Sequence, residues 1–330
     1  MDNKNKIVQL RLLSAQPATD YYAWQVEVYI HNFIELGYNG NYIDVVAGYE
    51  DVIPDSWRKI QQKFPYVRFF FYEDTSDNKI YQPAIQAHIL EKHFTQHPYL
   101  KNEAIFFHDC DFLFTKYFDF TPYLFDDNWY FSDTISYIGA KYIQSKGEEV
   151  LDEMCSLVGI DKEIVIQNEE GSGGAQKLMK GIDSEYWASV YKDSIALYKG
   201  MQELSKRKKE GDPYGLQIWC ASMWSELWNG WKRGANIVVP KEFDFCWATC
   251  SSNRWDDVSF FHNAGVPNSN QRMFYKADYI DKYPFSVNLD IDELRCSKKS
   301  DLDKILKEKV KLTIIRNSED NNNQALPEEA

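Results

Sequence analysis

The chain has 330 residues, of which 44% are hydrophobic and 26% are charged, so its composition is that of a globular protein and excludes wholesale disorder. Its formal net charge of −13 argues against a nucleic-acid partner, because binding to a phosphate backbone normally depends on a Lys/Arg surface. No apolar stretch approaches the roughly 18 to 20 residues of a membrane span, and the polar start at residues 1–6 is not that of a signal peptide.

Cysteine usage indicates a reducing compartment. The 6 cysteines include no C-x-x-C pair, and several of them lie in apolar segments. Such thiols are expected to stay reduced, so the sequence predicts a cytoplasmic location.

The first part of the chain alternates strand-like and helix-like patterns. Apolar strands are predicted over residues 7–13, 42–47 and 67–72, and helices over residues 22–36 and 54–64. Strands that alternate with helices favour a parallel sheet with right-handed crossovers. The predicted fold class is therefore α/β, with a Rossmann-type mixed, mainly parallel sheet flanked by helices.

The first predicted strand is followed by a polar break in the apolar pattern, which begins at Ser14 and Ala15. Proteins of the α/β class commonly seat a nucleotide on the loop after their first parallel strand, so Ser14 and Ala15 are candidate base or ribose contacts. An ordinary strand-to-helix turn is the alternative.

The clearest chemical pattern lies in residues 104–114. An apolar run, residues 104–107, leads to two aspartates one residue apart, Asp109 and Asp111, and an apolar run resumes directly afterwards. This pattern predicts a buried strand that ends at a charged rim. In an extended backbone, residues i and i+2 point the same way, so the two carboxylates could converge on one hard cation that takes oxygen ligands. Two solvated carboxylates at a strand end are the alternative.

Two stretches further along could also meet a ligand. Residues 129–134 predict a strand, and its Asp133 would either line a ligand site or cap the next turn. The glycine-rich run at residues 171–176 would let backbone amides approach a ligand closely, and the helical pattern after it would add a helix start, which favours anionic groups. A flexible linker is the alternative for the glycine-rich run.

The last informative segments are a ring-rich helix and a late strand. Residues 211–228 have a helical period and many aromatic rings, which predicts a buried helix. Residues 257–266 predict a strand that ends in a polar turn containing His262. Imidazole nitrogen suits Mn²⁺, but a lone histidine can also be a polar residue with one hydrogen-bond partner.

Several of these segments resemble the nucleotide-sugar glycosyltransferases that have the GT-A fold. The resemblance rests on the D-x-D motif within residues 108–111, the turn at residues 173–176 and residues 261–265, which occur in the order that those enzymes use. It covers roughly residues 7–285. The similar families are the plant hydroxyproline O-arabinosyltransferases and peptidyl serine galactosyltransferases, and a viral, phage or bacterial version of them is the expected kind of protein. Those families often carry a basic residue where this chain has Ile85 or Gln86.

The resemblance implies a metal-dependent transfer reaction. The donor would be a nucleotide-diphosphate sugar, in particular a UDP-sugar, the acceptor a hydroxyl of a glycan or glycoconjugate, and the cofactor Mn²⁺ or Mg²⁺. The chain shows no internal repeat and no linker, so residues 1–315 are predicted to form one GT-A-like catalytic domain. Residues 316–330 are polar and Asn-rich, which predicts a disordered tail. If the protein is viral, its cytoplasmic location would be that of the host.

The resemblance also implies roles for individual residues. The metal ligands would be Asp109, Asp111 and His262. The expected donor contacts are Ser14, Ala15, Cys110, Gly173, Gly174, Ala175, Gln176 and Lys276, although Lys276 could equally be a surface lysine. Trp219 and Asp133 are expected on the acceptor side.

The catalytic candidates are Gln217 and Asp212. Aligned with the Trp-x-Leu-Glu-Met-Tyr-Gly segment of the plant families, Gln217 stands where they carry Glu. Because an amide cannot act as a general base, Gln217 could only orient the reacting sugar, which favours retention of configuration. Asp212 is the alternative base.

Two other functions fit the same pattern. A metal-dependent nucleotidyltransferase or phosphodiesterase would also use paired carboxylates, but it would transfer or release a nucleotidyl group. A carbohydrate-binding protein without chemistry could use an aromatic cleft, and it would bind glycan equally well in the presence of a chelator.

Overall fold

A computed structural model describes most of the chain up to residue 284. The described residues are 8–77, 79–207, 215–250, 253–266 and 274–284. Asp212 and the tail predicted at residues 316–330 lie outside them.

The described residues form ten strands and ten α-helices joined by turns and short 3₁₀ helices. The strands are β1 Leu10–Pro17, β2 Ile43–Tyr49, β3 Arg68–Glu73, β4 Ala104–Phe107, β5 Phe112–Phe114, β6 Trp129–Asp133, β7 Gly173–Lys180, β8 Ile237–Val238, β9 Phe245–Trp247 and β10 Phe260–His262. The helices are α1 Asp20–Glu35, α2 Asp55–Lys63, α3 Ala84–Gln96, α4 Ile135–Ile138, α5 Ala140–Gln144, α6 Glu148–Val158, α7 Lys162–Gln167, α8 Ser184–Arg207, α9 Ala221–Lys232 and α10 Asn253–Asp257.

Seven strands form the central sheet, in the order β3-β2-β1-β4-β7-β6-β8. Strands β3, β2, β1 and β4 are parallel to one another, and β6 is parallel to β8, whereas β7 runs antiparallel to both of its neighbours. The predicted fold class, a mixed and mainly parallel sheet flanked by helices, is confirmed. Since β7 runs the other way, its amino end meets the carboxyl ends of β4 and β6 at one edge of the sheet.

A buried core lies on each face of this sheet, and β4 shows how the pleat divides its side chains between them. Phe106 packs into a core with Trp24 and Phe260, whereas Phe107 packs into a second core with Trp187 and Trp224. Successive side chains of a strand point to opposite faces, so β4 is apolar along its whole length and carries polar groups only where it ends.

A second sheet of three strands, in the order β5-β10-β9, lies beside the first. Strand β5 begins directly after Asp111 and pairs antiparallel with β10, which places Phe112 opposite His262. The backbone N–H of Asn263 donates to the carbonyl of Asp111 at 2.9 Å. This register brings the end of β10 to the D-x-D motif although 150 residues separate them in sequence.

Two local predictions are wrong. Strand β1 runs on to Pro17 because it pairs with β2 as far as Pro17 opposite Gly48, so Ser14 and Ala15 lie inside the strand and not in the loop after it. The glycine-rich run does not lead directly into a helix, because residues 173–180 form β7 and the long helix begins only at Ser184.

Among the helices within the described residues, none is both long enough and apolar enough to cross a membrane.

Candidate active site

A cleft of about 660 Å³ opens at the edge of the sheet where β1 and β4 end. This is the edge at which open α/β sheets commonly bind their ligands. Its polar lining includes the carboxylates Asp109, Asp111 and Glu226 and the cations Lys177 and Lys276. The volume lies within the usual range for small-molecule sites, about 300 to 1,000 Å³.

The two aspartates of the D-x-D motif lie in a turn. The N–H of Phe112 donates to the carbonyl of Asp109 at 3.3 Å, and the chain passes here from the main sheet to the small one. The prediction that the alternation of side chains along an extended strand aligns the two carboxylates is therefore wrong. The carboxylates do lie close together, because the turn brings them there.

His262 completes an acidic cluster with these two residues. Its Nε2 lies 3.2 Å from Oδ1 of Asp111 and 3.7 Å from Oδ2 of Asp109. Three possible ligand atoms, one from each residue, all lie within 4.8 Å of one another. The structure thus brings together the three predicted metal ligands from two separate parts of the chain.

The cluster has the electrostatic character of a cation site. Burial alone would lower the pKa of His262, but the carboxylates of Asp111 and Asp109 outweigh it and raise that pKa. Burial would raise the pKa of Asp111, but His262 and Lys276 outweigh it and hold that pKa well below its usual range. Lys276, whose ammonium contacts Asp111, also has a raised pKa, because the attraction to Asp111 outweighs burial. Positive charge is therefore stabilised at this point of the cleft.

The donor set suits a divalent metal ion. Two carboxylates and an imidazole are ligands that Mn²⁺ accepts, and Mg²⁺ would use mainly the carboxylate oxygens. Asp109 is more open than Asp111, since 39% of its side chain is exposed against 6%. Gln86 holds Asp109 from the other side, where its Nε2 donates to Oδ1 at 3.1 Å.

The imidazole of His262 is held by buried polar side chains. Nε2 of Gln176 lies 3.2 Å from Nδ1 of His262, and the hydroxyl of Ser132 lies 2.9 Å from Oε1 of the same Gln176. Gln176 and Ser132 are both fully buried. This contact orients the ring so that its other nitrogen faces the two aspartates.

Aromatic rings form the opposite wall of the cleft. The indole of Trp219 is 57% exposed and stacks on the ring of Tyr137, with 6.1 Å between the ring centroids and 29° between the ring planes. The hydroxyl of Tyr81 donates to the backbone carbonyl of Trp219 at 2.6 Å. An exposed ring on a fixed backbone is a suitable platform for the apolar face of a sugar.

The structure places four more of the predicted ligand contacts at the cleft. These are Cys110, Ala175, Trp219 and Lys276. Cys110 is buried. Burial, as the largest effect, and the charge of Asp111 both raise the pKa of its thiol, so Cys110 is a neutral residue of the cleft wall.

Three other predicted contacts, Ser14, Ala15 and Asp133, are not among the cleft-lining residues. Ser14 Oγ lies 2.7 Å from the hydroxyl of Tyr29 in the core, and Ala15 is fully buried beside it in β1. Asp133 is exposed and accepts a hydrogen bond from the N–H of Ile135 at 2.9 Å, so it caps a turn, which was the alternative to a ligand contact.

The two glycines of β7 make room for closely packed neighbours. A Cβ on Gly173 would lie 2.5 Å from Cβ of Phe131, and one on Gly174 would lie 2.5 Å from Cε of Met223. The backbone irregularity between Phe131 and Ser132 and the positive φ of Ala175, 55°, lie in this same region. Gly173 lets β7 approach β6, Gly174 leaves room for Met223 of α9, and neither glycine lines the cleft, where a donor contact was predicted for both.

Gln217 is not among the cleft-lining residues. Its backbone N–H donates to the hydroxyl of Tyr142 at 3.1 Å, four residues before α9 begins. The alternative base, Asp212, lies outside the described residues.

A buried ion pair between Glu226 and Lys177 is not among the features predicted from the sequence. Both side chains are 6% exposed, and both residues line the cleft. The signal was a single carboxylate within the ring-rich run Trp224-Ser225-Glu226-Leu227-Trp228, since a charge in an apolar helix normally has a specific partner. Of the buried helix predicted over residues 211–228, the described part forms the α-helix α9 from Ala221 onward, and residues 215–220 precede it.

Comparison with known proteins gives distant structural likenesses. No protein-family model matches the chain, and no curated protein matches it in sequence. Solved structures that are similar include the bifunctional glycosyltransferase WbbM (8% identity, TM-score 0.43), mouse xyloside xylosyltransferase 1 (9%, 0.39) and the galactosyltransferase LgtC in complex with donor and acceptor sugar analogues (11%, 0.40). The matches cover 94%, 78% and 78% of this chain, and 53%, 98% and 87% of the respective neighbours. Likenesses this distant do not assign an activity, which has to be inferred from the cleft itself.

Proposed function

We propose that this protein is a metal-dependent glycosyltransferase of the GT-A type, which moves a sugar from a nucleotide-diphosphate sugar, in particular a UDP-sugar, to a hydroxyl of a glycan. The observation that carries the proposal is the convergence of Asp109, Asp111 and His262 within 4.8 Å at the edge of an α/β sheet. A divalent ion bound there would offset the negative charge that develops on the leaving diphosphate.

The residues around this cluster would divide the cleft into a donor side and an acceptor side. Lys276 contacts Asp111 and would turn its ammonium to a phosphate oxygen when the diphosphate binds. The nucleoside would lie against the end of β1, where Gln16 and Thr19 line the cleft in place of the predicted Ser14 and Ala15. The acceptor sugar would stack on Trp219 on the far wall.

The position of Gln217 bears on the anomeric outcome. The preference for retention depends on this amide facing the reacting sugar. Since Gln217 does not line the cleft and Glu226 does, that reason no longer applies.

The test is a panel of UDP-, GDP- and CMP-sugars incubated with the protein and Mn²⁺, scored for release of the nucleotide. We expect release of a nucleoside diphosphate that stops when a chelator is added. Asp111→Asn should nearly abolish it without loss of the fold. Asp119→Asn, which changes an exposed aspartate that accepts from the N–H of Thr121, should leave it unchanged.

The outcomes separate the alternatives. Release of a nucleoside monophosphate would indicate a nucleotidyltransferase or phosphodiesterase. Glycan binding that is the same with and without chelator, together with no turnover of any donor, would indicate a carbohydrate-binding protein. Full turnover by Asp111→Asn would remove the metal from the mechanism.

A further inference from the structure

The buried pair of Glu226 and Lys177 has no role in the metal cluster. Lys177 lies on β7 directly after Gln176, and strand alternation sends the two side chains to opposite faces of the sheet. Gln176 reaches the metal-ligand candidate His262, while the ammonium of Lys177 lies 4.8 Å from the ring centroid of Phe107 and contacts Glu226.

Glu226 lies on the acceptor side of the cleft. It is one turn of α9 after Ser222, and both residues line the cleft. The chain that leads into this helix carries Trp219, the exposed ring of the opposite wall. The residues of α9 on its other faces, Trp224 and Trp228, are fully buried in the core. The helix therefore presents one carboxylate to the space between the ring wall and the metal cluster.

Among the described cleft-lining residues, Glu226 is the carboxylate that remains once Asp109 and Asp111 are assigned to the metal. We infer that Glu226 is the general base of the proposed glycosyl transfer and that Lys177 is its positioning residue. This inference rests on the proposed function.

The electrostatics of the pair fit this role. Burial, as the largest effect, raises the pKa of Glu226, and the charge of Asp109 raises it further, while Lys177 opposes both. A carboxylate with a raised pKa is a stronger base than an exposed one, and the adjacent ammonium favours its ionised form. Lys177 also fixes the direction in which the free carboxylate oxygen points.

The reaction would be a single displacement. A carboxylate oxygen of Glu226 accepts the proton of the acceptor hydroxyl, whose oxygen forms a bond to the anomeric carbon. The bond from that carbon to the diphosphate oxygen breaks, and its electron pair stays on the diphosphate. Attack from the side opposite the leaving group inverts the configuration at the anomeric carbon.

The test uses the full chain with Mn²⁺, a panel of UDP-sugars and p-nitrophenyl glycosides as acceptors. Glu226→Gln keeps the size of the side chain and removes the base. We expect the kcat of transfer to fall by about 10²- to 10⁴-fold. Binding of UDP with Mn²⁺, measured by calorimetry, should not change. The wild-type product should have the anomeric configuration opposite to that of the donor, as read by NMR.

A matched control separates catalysis from folding. Asp193 is also a buried carboxylate that pairs with a lysine, since Nζ of the more exposed Lys232 lies 2.6 Å from its Oδ2, but neither residue lines the cleft. Asp193→Asn should lower stability and leave kcat unchanged. If Glu226→Gln fails to fold, the double variant Lys177→Gln/Glu226→Gln leaves no unpaired charge, and it should fold, bind UDP with Mn²⁺ and remain inactive.

Each result has a defined meaning. Transfer at the wild-type rate by a folded Glu226→Gln variant, or a product that retains the configuration of the donor, would overturn the assignment while leaving the proposed function intact. A wild-type protein that turns over no donor would overturn both.

Discussion

The side-chain amide of Gln176 lies 3.2 Å from Nδ1 of His262, on the side of the ring opposite the two aspartates. For Nε2 to offer a lone pair to a metal ion, Nδ1 must carry the hydrogen, so the amide must present its oxygen to Nδ1. The hydroxyl of Ser132, which contacts the other end of the amide, can donate or accept and is compatible with that orientation. In the structure the amide presents its nitrogen to Nδ1, so a metal ion at Nε2 requires the amide to turn over, after which Gln176 accepts the Nδ1 hydrogen.

Replacing Gln176 should therefore weaken metal binding. We expect Gln176→Leu to lower the affinity for Mn²⁺ by about 10- to 100-fold, as for other partners that orient metal-ligating histidines. Titration of Mn²⁺ followed by electron paramagnetic resonance measures this directly. Gln176→Glu keeps an acceptor for the Nδ1 hydrogen and serves as the control that should retain affinity. Equal affinity in the wild type and Gln176→Leu would show that Gln176 does not orient the ring.

Lys276 should contribute to diphosphate binding. Its ammonium lies at the cluster, and a hydrogen bond to a charged group contributes about 1.5 to 3 kcal/mol. Lys276→Met should therefore weaken UDP binding in the presence of Mn²⁺ by about 10- to 100-fold, measured by calorimetry. Lys282, which lies over the ring of Tyr279 and is not among the cleft-lining residues, provides the control Lys282→Met, for which no change is expected. A loss of the same size in both variants would argue against a specific phosphate contact.

Close packing between β6 and β7 predicts a cost for any side chain at Gly173. Its Cβ would lie 2.5 Å from Cβ of Phe131 and 2.9 Å from the carbonyl oxygen of Ser132, and backbone atoms cannot move aside easily. Gly173→Ala should lower the free energy of unfolding by about 1 to 3 kcal/mol, measured by urea denaturation. At Gly40 the nearest atom to an added Cβ is 3.4 Å away, so Gly40→Ala should have a much smaller effect. The reverse order of the two variants would contradict this account.

A buried histidine predicts how stability depends on pH. Burial, followed by the charges of His97, Arg68 and Arg11, lowers the pKa of His93 to about 2. Asp44 is 4.0 Å from its Nε2, but that carboxylate is already paired with Arg68 and Arg11. The folded protein thus keeps His93 neutral, whereas the unfolded chain takes up a proton near the ordinary histidine pKa of 6.5.

The sign follows from proton linkage. Below pH 6.5 the unfolded state binds one more proton at this site than the folded state, so the contribution of His93 to stability decreases as the pH falls, by about 1.4 kcal/mol per pH unit. His93→Gln, which can keep a hydrogen bond to Tyr72, should reduce the slope of unfolding free energy against pH between pH 4 and 6 by about that amount. Urea denaturation across this range measures it, and identical slopes in the two proteins would refute the assignment.

What the sequence determined about this protein is local in origin. The alternation of strand and helix periods predicts the sheet, because each element must bury one apolar face. The apolar run that stops at Asp109 marks a strand end, and the second strand end, at His262, is visible for the same reason. A cation site could therefore be predicted from residue types and their order, whereas the antiparallel pairing of β10 with β5, which brings His262 to Asp111, belongs to the tertiary structure.

The tertiary structure alone decided how the cleft is completed. Ser14 is buried because the length of β1 depends on its pairing with β2, which no pattern within residues 10–17 reveals. Lys177 and Glu226 meet because β7 inserts antiparallel beside β4 and α9 covers that face, although 49 positions separate the two residues. The contact of Gln176 with His262 spans 86 positions. Such pairings depend on the distance between elements in space, and local periodicity carries no information about that distance.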